Sequence, residues 1–267
     1  MTAFDFRPAQ RYHRPATLLL ATESMRALGE MAFAAAVMPL TAGNLPAGDG
    51  HGVLVLPGFG GSNSSTGILR RALRLLGYDA QGWGGGRNLG PSPAVVSELL
   101  ANLGALEDKT GRKVSVLGWS LGGIYARLLA EKRPDSVRVV ITMGTPFRAT
   151  DLADTHAGFL YRAMGLLQRN QPGSLDYPIG YRGPIPVPST SIFSKADGIV
   201  PWRACIDERD SLHENVEVLG SHIGLGHHPG ALAIIADRLS QPEGVWAHYE
   251  PSGVARGLTR TWTTLPQ

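Results

Sequence analysis

One serine stands between glycines in a setting suited to covalent chemistry. Ser120 lies at the centre of the run Gly-Trp-Ser-Leu-Gly at 118–122. A short apolar stretch at 114–117 predicts a strand before it, and 121–132 predicts a helix after it. A serine on such a turn presents its hydroxyl to a crevice, and the glycines let backbone pack closely. Ser120 is therefore predicted to be a nucleophile; the alternative is a glycine-rich turn with a capping serine.

The run at 118–122 resembles the nucleophile elbow of α/β-hydrolases, and the resemblance extends over about 52–239. It points to the bacterial esterase- and lipase-like serine hydrolases of that superfamily. The resemblance implies an α/β fold with a mostly parallel central sheet flanked by helices. It also implies a catalytic order along the chain of serine, then Asp or Glu, then histidine.

A serine is a poor nucleophile without a base held by a carboxylate. His222 follows the last predicted strand, 216–219, on a stretch that resembles the catalytic-histidine loop of small bacterial esterases and lipases. His227 and His228 are rival bases beside Pro229, which begins the last predicted helix. We predict His222 as the base.

The predicted acid is Asp197, which follows the strand expected at 190–193. Its surroundings resemble the acid loop of the family, where an apolar residue and a proline follow the Asp. Asp207 and Asp210 lie further beyond the strand end and are interpreted as surface carboxylates. Asp197 would hold the base in one tautomer and stabilise its protonated form.

The oxyanion hole is expected from two backbone N–H groups. The loop at 57–61 follows the first predicted strand and resembles the His-Gly-x-Gly loop of the family, with Pro57 where histidine is common. The resemblance implies donors at Phe59 and Leu121. A phosphate-binding loop is excluded because no lysine follows these glycines and the spacing differs from G-x-G-x-x-G.

Strand and helix patterns alternate along the chain, which predicts a parallel sheet covered on both faces. The predicted strands are 53–56, 78–83, 114–117, 137–143, 190–193 and 216–219. The predicted helices are 15–38, 65–76, 93–107, 121–132, 156–169 and 230–239.

Five segments follow from this pattern. The hydrolase core is predicted at 51–146 and 189–242, with a helical cap or lid inserted at 147–188. About forty residues between consecutive strands are unusual for a structureless loop, which favours a lid over a decorative insertion. A helical extension at 1–50 precedes the core, and an irregular tail at 243–267 follows it.

The predicted substrate-binding residues are large and apolar. They are Trp119, Phe159, Leu160, Met164 and Trp202. An apolar cap over a hydrolase site suggests an acyl chain or another greasy group. The alternatives are that the cap residues only dock the cap and that the tryptophans belong to the core.

The helix expected at 15–38 carries an apolar stripe, which is predicted to pack on the domain. The stripe comprises Leu18, Leu19, Met25, Leu28, Met31, Ala35 and Met38. A membrane-surface helix is the less favoured alternative, because the polar face is acidic as well as basic.

The 267-residue chain is 43% hydrophobic and 18% charged, enough for a sizeable core. Its net charge of +3 includes no run of Lys or Arg suited to a phosphate backbone, so no nucleic-acid partner is expected. Cys205 is the single cysteine. The longest apolar run, 31–40, is too short to span a bilayer. A cytoplasmic location is expected, with peripheral membrane association as the alternative.

These features together predict a serine hydrolase that cleaves carboxylic esters of small-molecule or lipid-like substrates through an acyl-enzyme. No metal or organic cofactor is expected. An acyltransferase, a thioesterase and a peptidase would use the same residues. A ligand-binding protein of the same fold without turnover is the alternative from another class.

Overall fold

The computed structural model describes most of the chain. The described residues are 12–149, 155–156, 158, 183–253 and 255–262. The helix expected at 156–169 lies outside them except for two residues, and so do Phe159, Leu160 and Met164.

The described residues form one seven-stranded sheet. Its strands are β1 (Gly52–Leu56), β2 (Asp79–Gly82), β3 (Val114–Trp119), β4 (Val137–Met143), β5 (Ser189–Phe193), β6 (His213–Val218) and β7 (Thr259–Trp262). Their order is β2-β1-β3-β4-β5-β6-β7. All neighbouring pairs are parallel except β6 and β7, which run antiparallel.

Helices cover both faces of this sheet. They are α1 (Thr17–Thr41), α2 (Gly67–Leu75), α3 (Pro93–Thr110), α4 (Leu121–Lys132), α5 (Pro229–Ser240) and α6 (Ala255–Leu258). Alternate strand residues point to opposite faces. In β1, Val53 and Val55 join the apolar cluster that contains residues of α2 and α5. Leu54 and Leu56 join the cluster that contains residues of α3 and α4. The strands are therefore apolar on both sides, as a covered parallel sheet requires.

The strand order reverses at β1, which lies between β2 and β3. The loop after β1 and the turn after β3 therefore leave the sheet at neighbouring carboxyl ends. In open α/β sheets this is the crevice where ligands bind. The fold thus brings the loop at 57–61 beside Ser120.

The helix α1 packs on the domain only partly through the predicted stripe. Leu18, Met25 and Leu28 from the predicted stripe are 73%, 75% and 62% exposed. The buried positions include Glu23 and Ala27, at 3% and 5% exposure. The stripe prediction was wrong for Leu18, Met25 and Leu28, because the carboxylate face of this part of the helix finds partners in the protein and these residues point outward. Met38, at the end of the stripe, packs as predicted against the apolar cluster that contains residues of α2 and α5. No helix in the described part of the chain has the length and apolarity needed to cross a membrane.

Part of the tail that the sequence left irregular belongs to the sheet. Residues of β7 pair with β6, with Trp262 opposite Asn215. The tail is also held by Glu214, which accepts a hydrogen bond from Tyr249 N–H at 2.6 Å and pairs with Arg238 at 3.1 Å. A four-residue strand at a sheet edge gives too short a pattern to be recognised.

Two helical glycines test how tightly the elbow packs against β1. A Cβ on Gly122 would lie 2.3 Å from the carbonyl oxygen of Leu56, whereas a Cβ on Gly104 in α3 would meet nothing within 4 Å. Gly122→Ala is expected to lower the free energy of unfolding by about 1–3 kcal/mol. Gly104→Ala should leave it unchanged or raise it by up to about 1 kcal/mol. Urea unfolding measures both; equal effects would contradict this packing.

Candidate active site

The backbone of Ser120 is strained. Its φ is 54° and its ψ is −122°, the one positive φ outside glycine among the described residues. Its N–H donates to the carbonyl of Met143 at 2.8 Å, and its carbonyl accepts from Gly123 N–H at 3.0 Å. Strain of this kind persists where surrounding contacts hold it, and it is common at functional sites. The turn between β3 and α4 therefore fixes Ser120 at the carboxyl edge of the sheet.

The turn requires small residues because its backbones meet. A Cβ on Gly118 would lie 2.3 Å from the Cα of Gly123. The loop after β1 approaches the serine just as closely, since a Cβ on Gly58 would lie 3.0 Å from the Cβ of Ser120. Phe59 follows directly in this loop. Sequence motif and packing thus agree at the predicted elbow.

Asn88 holds the loop at 57–61, and sequence reasoning missed it. Its side-chain Nδ2 donates to the carbonyl of Pro57 at 2.8 Å. Its backbone exchanges two hydrogen bonds with the loop, to Gly60 and Gly61, each at 2.7 Å. Tyr125 donates its hydroxyl to Asn88 Oδ1 at 3.0 Å. No sequence signal identifies this residue, because the contacts join segments about 30 and 37 positions apart.

Asp197 and His222 form a buried pair. Nδ1 of His222 donates to Oδ2 of Asp197 at 2.6 Å, and the two residues are 3% (Asp197) and 5% (His222) exposed. The other oxygen, Oδ1, accepts from the N–H groups of Ile199 and Val200, both at 2.8 Å. Because a carboxylate oxygen accepts, this contact places the proton on Nδ1 and leaves Nε2 available as a base.

The environment of His222 favours its protonated form. Burial alone would lower the pKa of the imidazole, because a charged ring is poorly solvated there. The negative charge of Asp197, the hydrogen bond that it accepts and the charge of Glu23 outweigh burial, so the pKa of His222 is raised. The site can therefore stabilise an imidazolium after the ring takes up a proton.

His222 follows β6 and Ser120 follows β3, and the loop that carries His222 reaches across the ends of β5 and β4 toward the serine. A Cβ on Gly144, directly after β4, would lie 3.0 Å from Nδ1 of His222. Trp119, the neighbour of the serine, donates from Nε1 to the carbonyl of His222 at 3.1 Å. Among the described contacts no hydrogen bond joins the Ser120 hydroxyl to the imidazole. Catalytic hydrogen bonds are often long before substrate binds and tighten in the complex.

The rival histidines have other partners. Nε2 of His227 donates to the carbonyl of Ala27 at 3.1 Å. His228 caps α5, since its Nδ1 accepts from Gly230 N–H at 3.1 Å. Its Nε2 donates to the carbonyl of Leu219 at 3.0 Å. Both rings therefore hold the loop that carries His222.

The rival carboxylates differ from each other. Asp207 is fully buried and pairs with Arg127 at 2.5 Å, so its interpretation as a surface carboxylate was wrong. The ion pair explains the burial, because a charge inside a protein needs a partner. Asp210 is 46% exposed at its side chain and contacts His213 at 2.7 Å.

A second Asp-His-Ser array lies at the amino ends of the strands, whereas Ser120 lies at their carboxyl ends. Nδ1 of His51 donates to Asp49 at 2.5 Å, and its Nε2 accepts from the Ser115 hydroxyl at 2.7 Å. His51 and Ser115 are both fully buried, at the amino ends of β1 and β3. Burial lowers the pKa of His51, against the influence of Asp49. A substrate has no access to this serine, so the array is structural.

The two predicted tryptophans have different surroundings. Trp119 lies beside the base, with its ring centroid 6.5 Å from that of His222. Trp202 stacks on Phe193 at 5.8 Å and contacts Trp262 at 5.5 Å, in a cluster behind the acid loop. Trp119 is therefore close to the base, and Trp202 packs among other aromatic rings; contact of either with substrate stays a prediction.

The environment of Cys205 does not favour nucleophilic chemistry. Burial, reinforced by the charge of Asp197, raises the pKa of the Cys205 thiol well above its usual value, which makes it a poor nucleophile. In the part of the chain that is described, no group of three or more His, Cys, Asp or Glu side chains is arranged to hold a metal ion.

Comparison with known proteins agrees with this architecture. The sequence model of a protein family described as "alpha/beta hydrolase fold" matches residues 53–172. No curated protein sequence matches the chain.

Solved structures are similar over most of the chain. A structure of the metagenome-derived lipolytic enzymes LipS and LipT is 19% identical, with a TM-score of 0.51, and the match covers 73% of this chain and 93% of that one. Lipase B of Aspergillus fumigatus is 18% identical with a TM-score of 0.54, over 72% and 52% of the two chains. The pyrethroid hydrolase PytH is 17% identical with a TM-score of 0.52, over 73% and 99%. These matches confirm the predicted fold: the chain has the alpha/beta hydrolase fold.

Proposed function

We propose that this protein is a serine hydrolase that cleaves carboxylic esters through an acyl-enzyme. The observation that carries the proposal is the buried Asp197–His222 pair, with its 2.6 Å hydrogen bond, at the sheet edge where Ser120 occupies its strained turn. A base with a fixed tautomer beside a serine on an elbow is the arrangement that activates a hydroxyl.

In the proposed reaction, Ser120 Oγ attacks the ester carbonyl while Nε2 of His222 takes its proton. Asp197 stabilises the imidazolium that results. The tetrahedral intermediate collapses, the proton passes from His222 to the leaving alkoxide, and an alcohol departs. His222 then removes a proton from water, which attacks the acyl-enzyme. The second tetrahedral intermediate collapses, His222 returns the proton to Ser120 Oγ, and the acid departs.

The N–H groups of Phe59 and Leu121 are proposed as the oxyanion hole. Leu121 begins α4 directly after the serine, and Phe59 belongs to the loop that touches Ser120 through Gly58. Backbone donors held in place need no reorganisation as charge develops on the oxygen. The hydrogen bonds of Asn88 to this loop supply that rigidity.

The proposed substrates are small-molecule or lipid-like esters. Support comes from the solved structures of similar fold, which include lipolytic enzymes and a lipase. Trp119 is proposed to contact the substrate from beside the base. Phe159, Leu160 and Met164 lie outside the described residues and stay proposals.

Active-site labelling tests the nucleophile directly. A fluorophosphonate is expected to label the wild-type protein at one residue, Ser120, and mass spectrometry of the digest identifies the site. Ser120→Ala should abolish labelling. Absence of label on Ser120 in folded wild-type protein would contradict the proposal.

The buried array supplies a matched control for this experiment. Ser115→Ala removes a serine that is also hydrogen-bonded to a histidine, so chemistry alone would make it a rival. The variant is expected to label at the wild-type rate per folded molecule. It should unfold more easily by about 1–3 kcal/mol, because Nε2 of His51 loses its buried partner.

The pH profile tests the role of His222. The base must be neutral to act, so kcat/KM should rise with pH as the ring loses its proton. Because the pKa of His222 is raised, the midpoint of this rise is expected above ~6.5, the ordinary histidine value. Initial rates on p-nitrophenyl acetate across the neutral pH range measure it. A midpoint at or below the ordinary value would contradict the assigned environment.

A series of p-nitrophenyl esters of rising chain length tests the reaction class. Hydrolysis well above the rate of Ser120→Ala is expected, since the activated hydroxyl does the chemistry. Preference for short chains identifies an esterase, and preference for long chains identifies a lipase. Rates equal to those of Ser120→Ala for every ester would contradict ester hydrolysis and favour a binding protein or another acyl substrate.

A further inference from the structure

The inner face of α1 carries two carboxylates that point toward the site. Glu23 and Glu30 are seven residues apart and share a helix face with Ala27 and Ala34. The two alanines are 5% and 6% exposed. Its residues are therefore small where the helix packs on the domain, and acidic where the helix contacts the loops that carry Asp197 and His222.

Glu23 binds both loops of the Asp-His pair. Its Oε1 accepts from Gly198 N–H at 2.7 Å, next to Asp197, and from His222 N–H at 3.1 Å. Its Oε2 accepts from Ile223 N–H at 3.2 Å. One carboxylate, 3% exposed, therefore joins the acid loop to the base loop through their backbones.

Arg26 completes this contact. Its guanidinium pairs with Glu23 at 3.0 Å and donates to the carbonyl of Ala196 at 2.8 Å. A buried charge is costly unless it is paired and hydrogen-bonded, and here both conditions are met. The helix thus contacts the backbone on both sides of Asp197.

Glu30 holds the base loop one residue before His222. It accepts from Ser221 N–H at 2.8 Å and from the Ser221 hydroxyl at 2.7 Å. That hydroxyl also accepts from Gly224 N–H at 3.0 Å. The residues on either side of His222 are therefore bound by Glu30 and Glu23.

Glycines in the two loops leave the space that α1 occupies. A Cβ on Gly198 would lie 2.5 Å from the backbone of Leu19, and a Cβ on Gly224 would lie 1.6 Å from Oε2 of Glu30. The two loops otherwise meet through the Asp197–His222 bond and through Ser194, whose hydroxyl donates to the carbonyl of Gly220 at 2.6 Å. Besides these direct contacts, Glu23 therefore supplies a connection between the loops that runs through α1.

We propose that α1 is a positioning element of the active site, in which Glu23 and Glu30 fix the acid loop and the base loop relative to each other. The inference rests on the proposed function for its consequence in catalysis. It assigns a role to the N-terminal extension, which lies outside the predicted hydrolase core. Neither glutamate touches the reacting atoms: Glu23 acts through the N–H groups of Gly198, His222 and Ile223, and Glu30 acts through Ser221.

Kinetics of Glu23→Gln test this role. The amide keeps the size of the side chain but removes the charge, and it turns an NH2 group toward backbone N–H donors. The fluorophosphonate labelling rate of Ser120 and kcat for p-nitrophenyl acetate are expected to fall roughly 10- to 100-fold, as small misplacements of catalytic groups do. KM should change little. Glu30→Gln should show a smaller loss of the same kind.

The control is Glu98→Gln, the same change at an exposed position of α3. It is expected to match wild type in labelling and kcat. All rates are taken per folded molecule, with folding checked by urea unfolding. If Glu23→Gln loses stability but keeps the wild-type labelling rate per folded molecule, the residue is merely structural and the proposal is overturned.

A second measurement does not depend on ester turnover. NMR titration of 13C-labelled histidine, with the signal of His222 assigned through His222→Gln, reports its midpoint directly. Glu23→Gln is expected to lower this midpoint, because it removes a negative charge that favours the protonated ring. Glu98→Gln should leave it unchanged.

The two readouts separate the two proposals. A lowered midpoint together with slower labelling of Ser120 in Glu23→Gln, in a protein that hydrolyses no ester, would support the positioning role and reject the proposed reaction. An unchanged midpoint together with unchanged labelling would overturn the positioning role while leaving the hydrolase intact.

Discussion

The hydrogen bond between Asp197 and His222 joins two loops that leave the sheet from different strands, β5 and β6. Both side chains are short and buried, so neither can adjust if its loop shifts. The 2.6 Å hydrogen bond therefore depends on the position of each loop. Much of the surrounding structure serves this constraint. Ile199 and Val200 orient the carboxylate, and Trp119 contacts the backbone of the base. His227 and His228 hold the loop that carries the base through their own hydrogen bonds.

The two Asp-His-Ser arrays show why contact geometry alone does not identify an active site. Asp49, His51 and Ser115 have the shorter and more complete set of hydrogen bonds. Ser115 nevertheless lies within β3 and is fully buried. Ser120 has strained backbone, a glycine-rich loop beside it and a place at the strand-order reversal. Position in the fold therefore decides which serine can meet a substrate.

The elbow and its two partners could be predicted because their signals are local. Five adjacent residues specify the turn around Ser120, and Asp197 and His222 each follow a recognisable strand. The roles of Asn88 and Glu23 could not be predicted, because their hydrogen-bond partners are 31 and at least 175 positions away in the chain. A histidine such as His51 gives no sign in the sequence of which edge of the sheet it occupies.

The error over α1 has a physical cause. Hydrophobic periodicity assumes that the apolar face of a helix turns inward. In α1 the inward face carries Glu23 and Glu30, whose charges are satisfied by backbone N–H groups of loops that carry the acid and the base. The hydrogen bonds that these carboxylates accept leave no trace in a pattern of apolar residues. The same hydrogen bonds connect the N-terminal extension to the site.

The central claim is that Ser120 attacks a carbonyl whose oxygen is received by backbone N–H groups, with His222 as its base. A crystal structure of the protein after reaction with a p-nitrophenyl phosphonate tests this most directly. The account predicts phosphorus bonded to Ser120 Oγ, one phosphonyl oxygen within hydrogen-bond distance of the N–H groups of Phe59 and Leu121, and Nε2 of His222 beside the adduct. An adduct on another residue, or a phosphonyl oxygen turned away from both N–H groups, would contradict it.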